Sequence, residues 1–217
     1  MCTLVGSDRT SESSAQWLII VSEPHVKKIG PQKVGGDGDI EIFCADEQSD
    51  VVIDVPRWRQ LCEDVLRAQG VRGAAELTLM FVPETAIAGL NEQYMGKVGP
   101  TDVLAFPLDA VESFRSPGPG AISRGPERVP IDLNELPILL GDVVVCPFVA
   151  NRQAQNHAGN LDDEIALLIV HGILHVLGFD HDTDEKATKM QNCERELLEK
   201  HHWNSSMPDS FKKVYEL

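Results

Sequence analysis

Hydrophobic and polar positions recur regularly only from about residue 50 onward. Val51 to Val55 is a short apolar run broken by Asp54, and it predicts a strand. Pro56 suits the first turn of a helix in which Trp58, Leu61, Val65 and Leu66 recur at helical spacing, with Gly70 as the stop. Leu77, Leu79 and Phe81 alternate with Thr78, Met80 and Val82, a strand pattern with a second apolar face. Pro83-Glu-Thr85 opens another helix, with Ile87, Leu90 and Tyr94 on one stripe. Val103 to Phe106, ahead of Pro107, predicts a strand, and so does Ile138 to Cys146. Gly141 inside the latter signals a bulge or a close backbone approach. Residues 148–158 predict a short helix. The clearest helix is 162–177: three acids open it, and the run from Ile165 to Leu177 is apolar nearly all round, as in a core helix. Gly178 fits the position just past its last turn. Asp182-Thr-Asp-Glu185 resembles a capping box and starts a last helix to about Lys200.

Helices alternating with strands give an α+β (α/β-like) single domain with helices packed on one small sheet, placed at residues 50–202. Residues 1–49 read as an N-terminal extension, partly disordered in composition, with the polar run Ser7–Ser14 and the stretch Gly35-Gly-Asp-Gly38. Within it, Ile40, Ile42 and Phe43 suit one edge strand, and Trp17–Val21 suits packing on the body. Residues 109–137 are rich in proline and glycine and read as a long loop or insertion. Residues 203–217 form a C-terminal tail.

Composition then narrows the function. Of 217 residues, 42% are hydrophobic, enough for a packed core, and the net charge is −15. That charge argues against a nonspecific nucleic-acid coat protein or a basic membrane-surface protein, both of which need a positive field. It leaves room for a nucleic-acid enzyme with a local basic groove. The five cysteines are odd in number and have neither C-x-x-C nor zinc-finger spacing, so they read as reduced thiols. No apolar run is long enough for a membrane span, and no signal-peptide pattern is present, so the expected compartment is the cytoplasm.

The chemistry concentrates in His171-Gly-Ile-Leu-His175-Val-Leu-Gly178-Phe-Asp-His181. Histidines at i and i+4 share a helix face, and Gly178 lets the chain turn so that His181 can return to the same point. Two unpaired imidazoles in an apolar helix would cost free energy without a partner. Three imidazoles suit one zinc ion and leave a coordination position open for water. The spacing equals that of metzincin proteases, but Gly172 stands where their general-base Glu would be. A glycine cannot move a proton, so peptide hydrolysis is a minor reading.

The same string resembles the signature H-G-x-L-H-x-x-G-[FY]-D-H of the YbeY family, zinc-dependent endoribonucleases. Leu90-Asn-Glu-Gln-Tyr-Met-Gly-Lys97 with Pro100-Thr-Asp-Val-Leu-Ala-Phe-Pro107 resembles that family's L-N-x-x-Y-R-G-K-x-x-P-T-[DN]-V-L-S-F-P. Leu139-Leu-Gly-Asp142-Val-Val-Val-Cys146 resembles its L-L-G-D strand. The resemblance spans about residues 50–202. It implies a small, mostly parallel sheet covered by helices, with the metal at the end of a cleft. It implies His171, His175 and His181 as ligands of one Zn2+. It also implies cleavage of single-stranded RNA during maturation of the 3′ end of small-subunit rRNA and in ribosome quality control, with the ribosome or one of its proteins as partner. The alternative is a non-catalytic ribosome-assembly factor in which zinc is a structural clip.

Three departures from the pattern stand out. Met95 replaces an Arg and cannot clamp a phosphate, Ala105 replaces a Ser, and the 109–137 segment is long. Lys97 is then a candidate phosphate contact, as are Arg57 and Arg152. Asp142 suits a general base, a partner that orients a histidine, or a strand residue satisfying backbone donors. Asp180 suits orientation of His181 or capping of the turn, while Thr101-Asp102 reads first as a turn pair. His157, His201 and His202 read as surface residues, and Cys146 and Cys193 as core.

Overall fold

The structure is a computed structural model and describes residues 39–108, 137–211 and 214–215. In chain order the elements are β1 (Ile40–Asp46), α1 (Val55–Ala68), β2 (Ala75–Phe81), α2 (Glu84–Met95), β3 (Val103–Pro107), β4 (Ile138–Val145), α3 (Pro147–Ala154), α4 (Leu161–Val176) and α5 (Asp184–His201). They form one four-stranded sheet in the order β1-β2-β4-β3. β1, β2 and β4 run parallel, and β3 joins β4 antiparallel at the far edge. This is the expected α+β architecture with a mostly parallel sheet.

The edge strand expected at Ile40–Phe43 is β1, and its whole length pairs with β2. The strand expected at Val51–Val55 does not form. Gln48 satisfies that backbone instead: its Nε2 donates to Val51 O at 2.8 Å, and its Oε1 accepts from Val51 N at 2.9 Å. Val52 is 99% exposed. Asp54 then caps α1 by accepting from Arg57 N at 3.2 Å, so the chain is committed to helix where a strand would continue. Trp58, Leu61, Val65 and Leu66 are buried as expected.

β2 buries Ala75, Leu77, Leu79 and Phe81 on one face. In β4, Leu140 is an extra residue: Glu76 pairs with Leu139 and the next residue, Leu77, with Gly141. Gly141 has φ 147° and lies so close to Phe106 O that a Cβ there would collide with it. The glycine therefore marks both the bulge and the close approach that the sequence suggested. In α2, Ile87 is buried, but Tyr94 is largely exposed and packs edge-on against Phe106 at 5.2 Å between centroids. The helix buries Asn91 instead, whose side chain donates to Gly99 O at 2.8 Å and holds the following turn.

α1 packs on β1, and α4 packs on β3 and β4 while touching α1, α3 and α5. Every residue of α4 from Asp163 to Val176 is buried. Burial of each large aliphatic side chain there contributes roughly 1.5–3 kcal/mol before entropy is counted. Close packing needs Gly172, because a Cβ there would stand 2.7 Å from Val143 Cγ1. α5 starts one residue later than the capping-box reading: Thr183, not Asp182, is the cap, and its hydroxyl accepts from Lys186 N at 3.3 Å. Asp182 pairs instead with Lys186 Nζ at 2.6 Å. Beyond α5, Trp203 packs edge-on against the buried Phe211 at 4.7 Å between centroids. Trp17–Val21 and the 109–136 stretch lie outside the described residues.

Candidate metal centre

α4 ends in a left-handed glycine. Gly178 has φ 87°, its N–H donates to His175 O, and Phe179 N–H donates to Leu174 O, both at 2.9 Å. These two bonds reverse the chain directly after the second histidine. His181 follows in the turn, braced by Asp180, whose Oδ1 accepts from His181 N at 2.7 Å. Asp180 thus caps the turn, and its other oxygen takes Lys186 Nζ at 3.0 Å.

The result is a cluster of three imidazoles whose ligand atoms all lie within 4.8 Å of one another. His171 Nε2 and His175 Nε2 are 2.9 Å apart. The His181 ring centroid lies 5.7 Å from that of His171 and 5.1 Å from that of His175. Each helical histidine is held through its other nitrogen. His175 Nδ1 lies 3.0 Å from Phe179 O and can only donate there, which leaves its Nε2 as a lone-pair donor. His171 Nδ1 lies 2.7 Å from Glu194 Oε1 on α5. His181 Nε2 is buried with no hydrogen-bond partner among the described residues.

Burial, reinforced by the neighbouring imidazoles, pushes the pKa of both His171 and His175 down to about 3. Both rings are therefore neutral at physiological pH, the state a metal ligand needs. Burial also pushes the Glu194 carboxyl up to about 8. Buried neutral imidazoles, a buried unpartnered Nε2 and nitrogen donors converging on one point fit a borderline divalent cation.

The remaining candidates are distributed around this cluster. The strand register pairs Asp142 with Thr78 and Phe106, on the sheet face opposite Val143 and hence opposite α4. Lys97 is half-buried just past α2. Met95 is partly buried and packs against the core. Arg57 pairs with Asp162 at 2.6 Å and lies over Trp58, and Arg152 pairs with Glu84 at 3.1 Å, so each cation already has an acid beside it. Cys146 is buried, and Cys193 packs on the core, as expected.

Asp102 is a turn acid, with Oδ1 accepting from Val103 N at 2.9 Å. Its Oδ2 accepts from Gln153 Nε2 at 2.5 Å, which joins it to a second buried network. There Glu164, wholly buried, accepts from Gln153 Nε2 at 2.9 Å and faces His157 Nδ1 at 2.9 Å. Burial pulls the His157 pKa down, but the hydrogen bond and charge of Glu164 outweigh it, and the net shift is upward.

Two histidines expected at the surface are not there. His157 is tied to Glu164, and the His202 ring is buried with Nε2 2.7 Å from Asp163 Oδ1. The sequence reading also missed Glu194. The signal was present: Met190, Leu197 and Leu198 form the buried stripe of α5, and an acid at position 194 falls on that stripe.

The fold and the cluster together define a small α+β protein with a three-histidine site suited to a metal ion. The family model described as Endoribonuclease YbeY matches residues 43–202, and the chain belongs to that family. Proteins named Endoribonuclease YbeY are 42% identical over 146 residues in a Nocardioides species and 40% identical over 151 residues in Acidothermus cellulolyticus. The first match covers 67% of this chain and 88% of the relative, the second 70% and 85%. A third, from Thermobifida fusca, is 40% identical over 151 residues, covering 70% of this chain and 88% of the relative. A solution structure of a Thermotoga maritima protein aligns over 76% of this chain and 93% of its own length, with 22% identity and a TM-score of 0.44.

Proposed function

We propose that this chain is a metal-dependent endoribonuclease that cuts single-stranded RNA during rRNA maturation, with one zinc ion held by His171, His175 and His181. The observation that supports this most is the convergence of three imidazoles, two buried and the third half-buried with an unpartnered Nε2, in a chain whose relatives are named endoribonucleases. A bound zinc ion supplies a Lewis acid for a phosphoryl oxygen and a water acidic enough to yield hydroxide near neutral pH. The protein's own part is to keep His171 and His175 neutral by burial and to hold their rings through Nδ1. It also turns the chain at Gly178 so that His181 faces them. Lys97 is the proposed phosphate contact outside the triad, whereas Asp142, on the sheet face away from α4, is better read as a strand residue than as the general base. The ribosome or one of its proteins delivers the substrate, and the cytoplasm is the site of action.

Two other readings are weaker. The non-catalytic assembly factor is not favoured, since the relatives carry an endoribonuclease name. A metzincin-like peptidase needs a carboxylate at position 172, where even a methyl group would press on Val143.

The test is cleavage of a defined single-stranded RNA by repurified wild type, His171→Ala and His175→Ala, with metal content measured on each. Wild type is expected to carry about one zinc and cut, and both variants to lose zinc and fall to background. Equal cleavage by all three would refute the proposal. Lys97→Ala is expected to lower cleavage at unchanged zinc content.

A further inference from the structure

We propose that Glu194 is a positioning residue for the metal site: its carboxylate accepts the Nδ1 proton of His171 and fixes the ring with Nε2 directed at the ion. This rests on the three-histidine reading above. The contact is 2.7 Å and joins two helices, α4 and α5, through partners 23 positions apart in the chain. Glu194 is 3% exposed and His171 4%. A carboxylate there is costly. Position 194 lies on the stripe with Met190, Leu197 and Leu198, where an aliphatic side chain would stabilise α5 packing without desolvating a charge. Its hydrogen-bond partner among the described residues is His171.

The chemistry explains why an acid suits this place. A neutral imidazole carries one proton. When that proton is on Nδ1, Nε2 has its lone pair available. When it is on Nε2, the ring cannot ligate through that atom. His175 solves this locally with the carbonyl of Phe179, which can only accept. At His171 Nδ1 the acceptor is the Glu194 side chain. A cation held by the three histidines would favour the ionised form of this buried carboxyl, and its negative charge would then raise the basicity of Nε2 through the ring more than a carbonyl does. The triad thus has two kinds of outer support, and Glu194 is the side chain among them.

The experiment compares zinc affinity of the full-length wild type, Glu194→Gln and Glu194→Met by competition with a chromophoric chelator. Circular dichroism and the melting temperature of the metal-free proteins monitor folding. Glu194→Gln keeps the shape and an accepting oxygen but loses the charge, so zinc binding is expected to weaken by roughly 10-fold. Glu194→Met removes the acceptor and is expected to weaken it by up to about 100-fold. A merely structural Glu194 would shift melting but leave the dissociation constant of the folded protein unchanged. Constants within about twofold of wild type in a folded variant would overturn the proposal. A wild type that binds no zinc would overturn the three-histidine reading itself. Proton NMR of the zinc-loaded wild type gives a check that needs no variant. A downfield, slowly exchanging His171 Nδ1 proton is expected, and a rapidly exchanging one would also overturn the proposal.

Discussion

Single residues decide how the histidines meet. Gly178 adopts φ 87° with open space around it, so a Cβ would meet no neighbour and the cost of replacing it is conformational. Gly178→Ala is expected to destabilise the chain by about 1–2 kcal/mol, read as a lower denaturant midpoint, and to weaken zinc binding because His181 follows the turn. Zinc binding at wild-type strength would show that the turn does not aim His181. His157 offers a second residue-level test. Its pKa is raised in the fold by Glu164, so the protonated ring binds better there than in the unfolded chain. That stabilisation is complete below about pH 6.5 and fades as pH rises through the elevated folded value. The penalty of His157→Gln, measured by urea unfolding, is expected to be larger at about pH 5.5 than at about pH 9. A penalty independent of pH would mean that the pair is not titrating.

Helix α4 shows how one element serves packing and chemistry together. Its apolar surface was legible from Ile165 to Leu177, and so were the acids at its start. What the pattern hid was the reason for Gly172. Read as a missing general base, that glycine only excluded a peptidase. In the fold it is the contact that lets α4 lie against β3 and β4, with Val143 and Val103 over it. Gly172→Glu, the change that restores the metzincin string, is expected to cost several kcal/mol by overpacking and by burying an unpaired acid. It is also expected to add no peptidase activity. An unchanged urea midpoint would refute the packing role. The Val51–Val55 segment failed as a strand for a similar reason. Apolar side chains alone do not make a strand when a nearby side chain and a helix cap claim the backbone groups first.

For the whole molecule, charge and metal set the expectations. A net charge of −15 gives a field that repels RNA, and Arg57 and Arg152 already have acids beside them. Affinity for arbitrary single-stranded RNA at physiological salt is therefore expected at the weak end of nonspecific binding, about 10⁻⁴ M by fluorescence anisotropy. A submicromolar constant would contradict delivery of the substrate by a partner. Zinc at 100 times its dissociation constant is expected to stabilise the folded chain by about 2.7 kcal/mol. Stripping it with a chelator should then lower the melting temperature by roughly 5–10 °C. No change would argue against a three-histidine metal site.

The sequence by itself determined whatever depends on near neighbours. The i, i+4 pair of His171 and His175, the reversal at Gly178, the bulge at Gly141 and the buried faces of α1, β2 and α4 follow from local backbone geometry and from the periods of helix and strand. Only the tertiary structure decided what requires distant segments to meet. It put Glu194 against His171, seated His157 on Glu164 and His202 on Asp163, and turned Asp142 to the sheet face away from α4. It also chose β2 as the partner of the edge strand expected at Ile40–Phe43 and carried that pairing on to Asp46. A polar residue on an amphipathic stripe announces that it will be buried, but its partner is chosen by helix packing and strand register, which no short window of sequence contains.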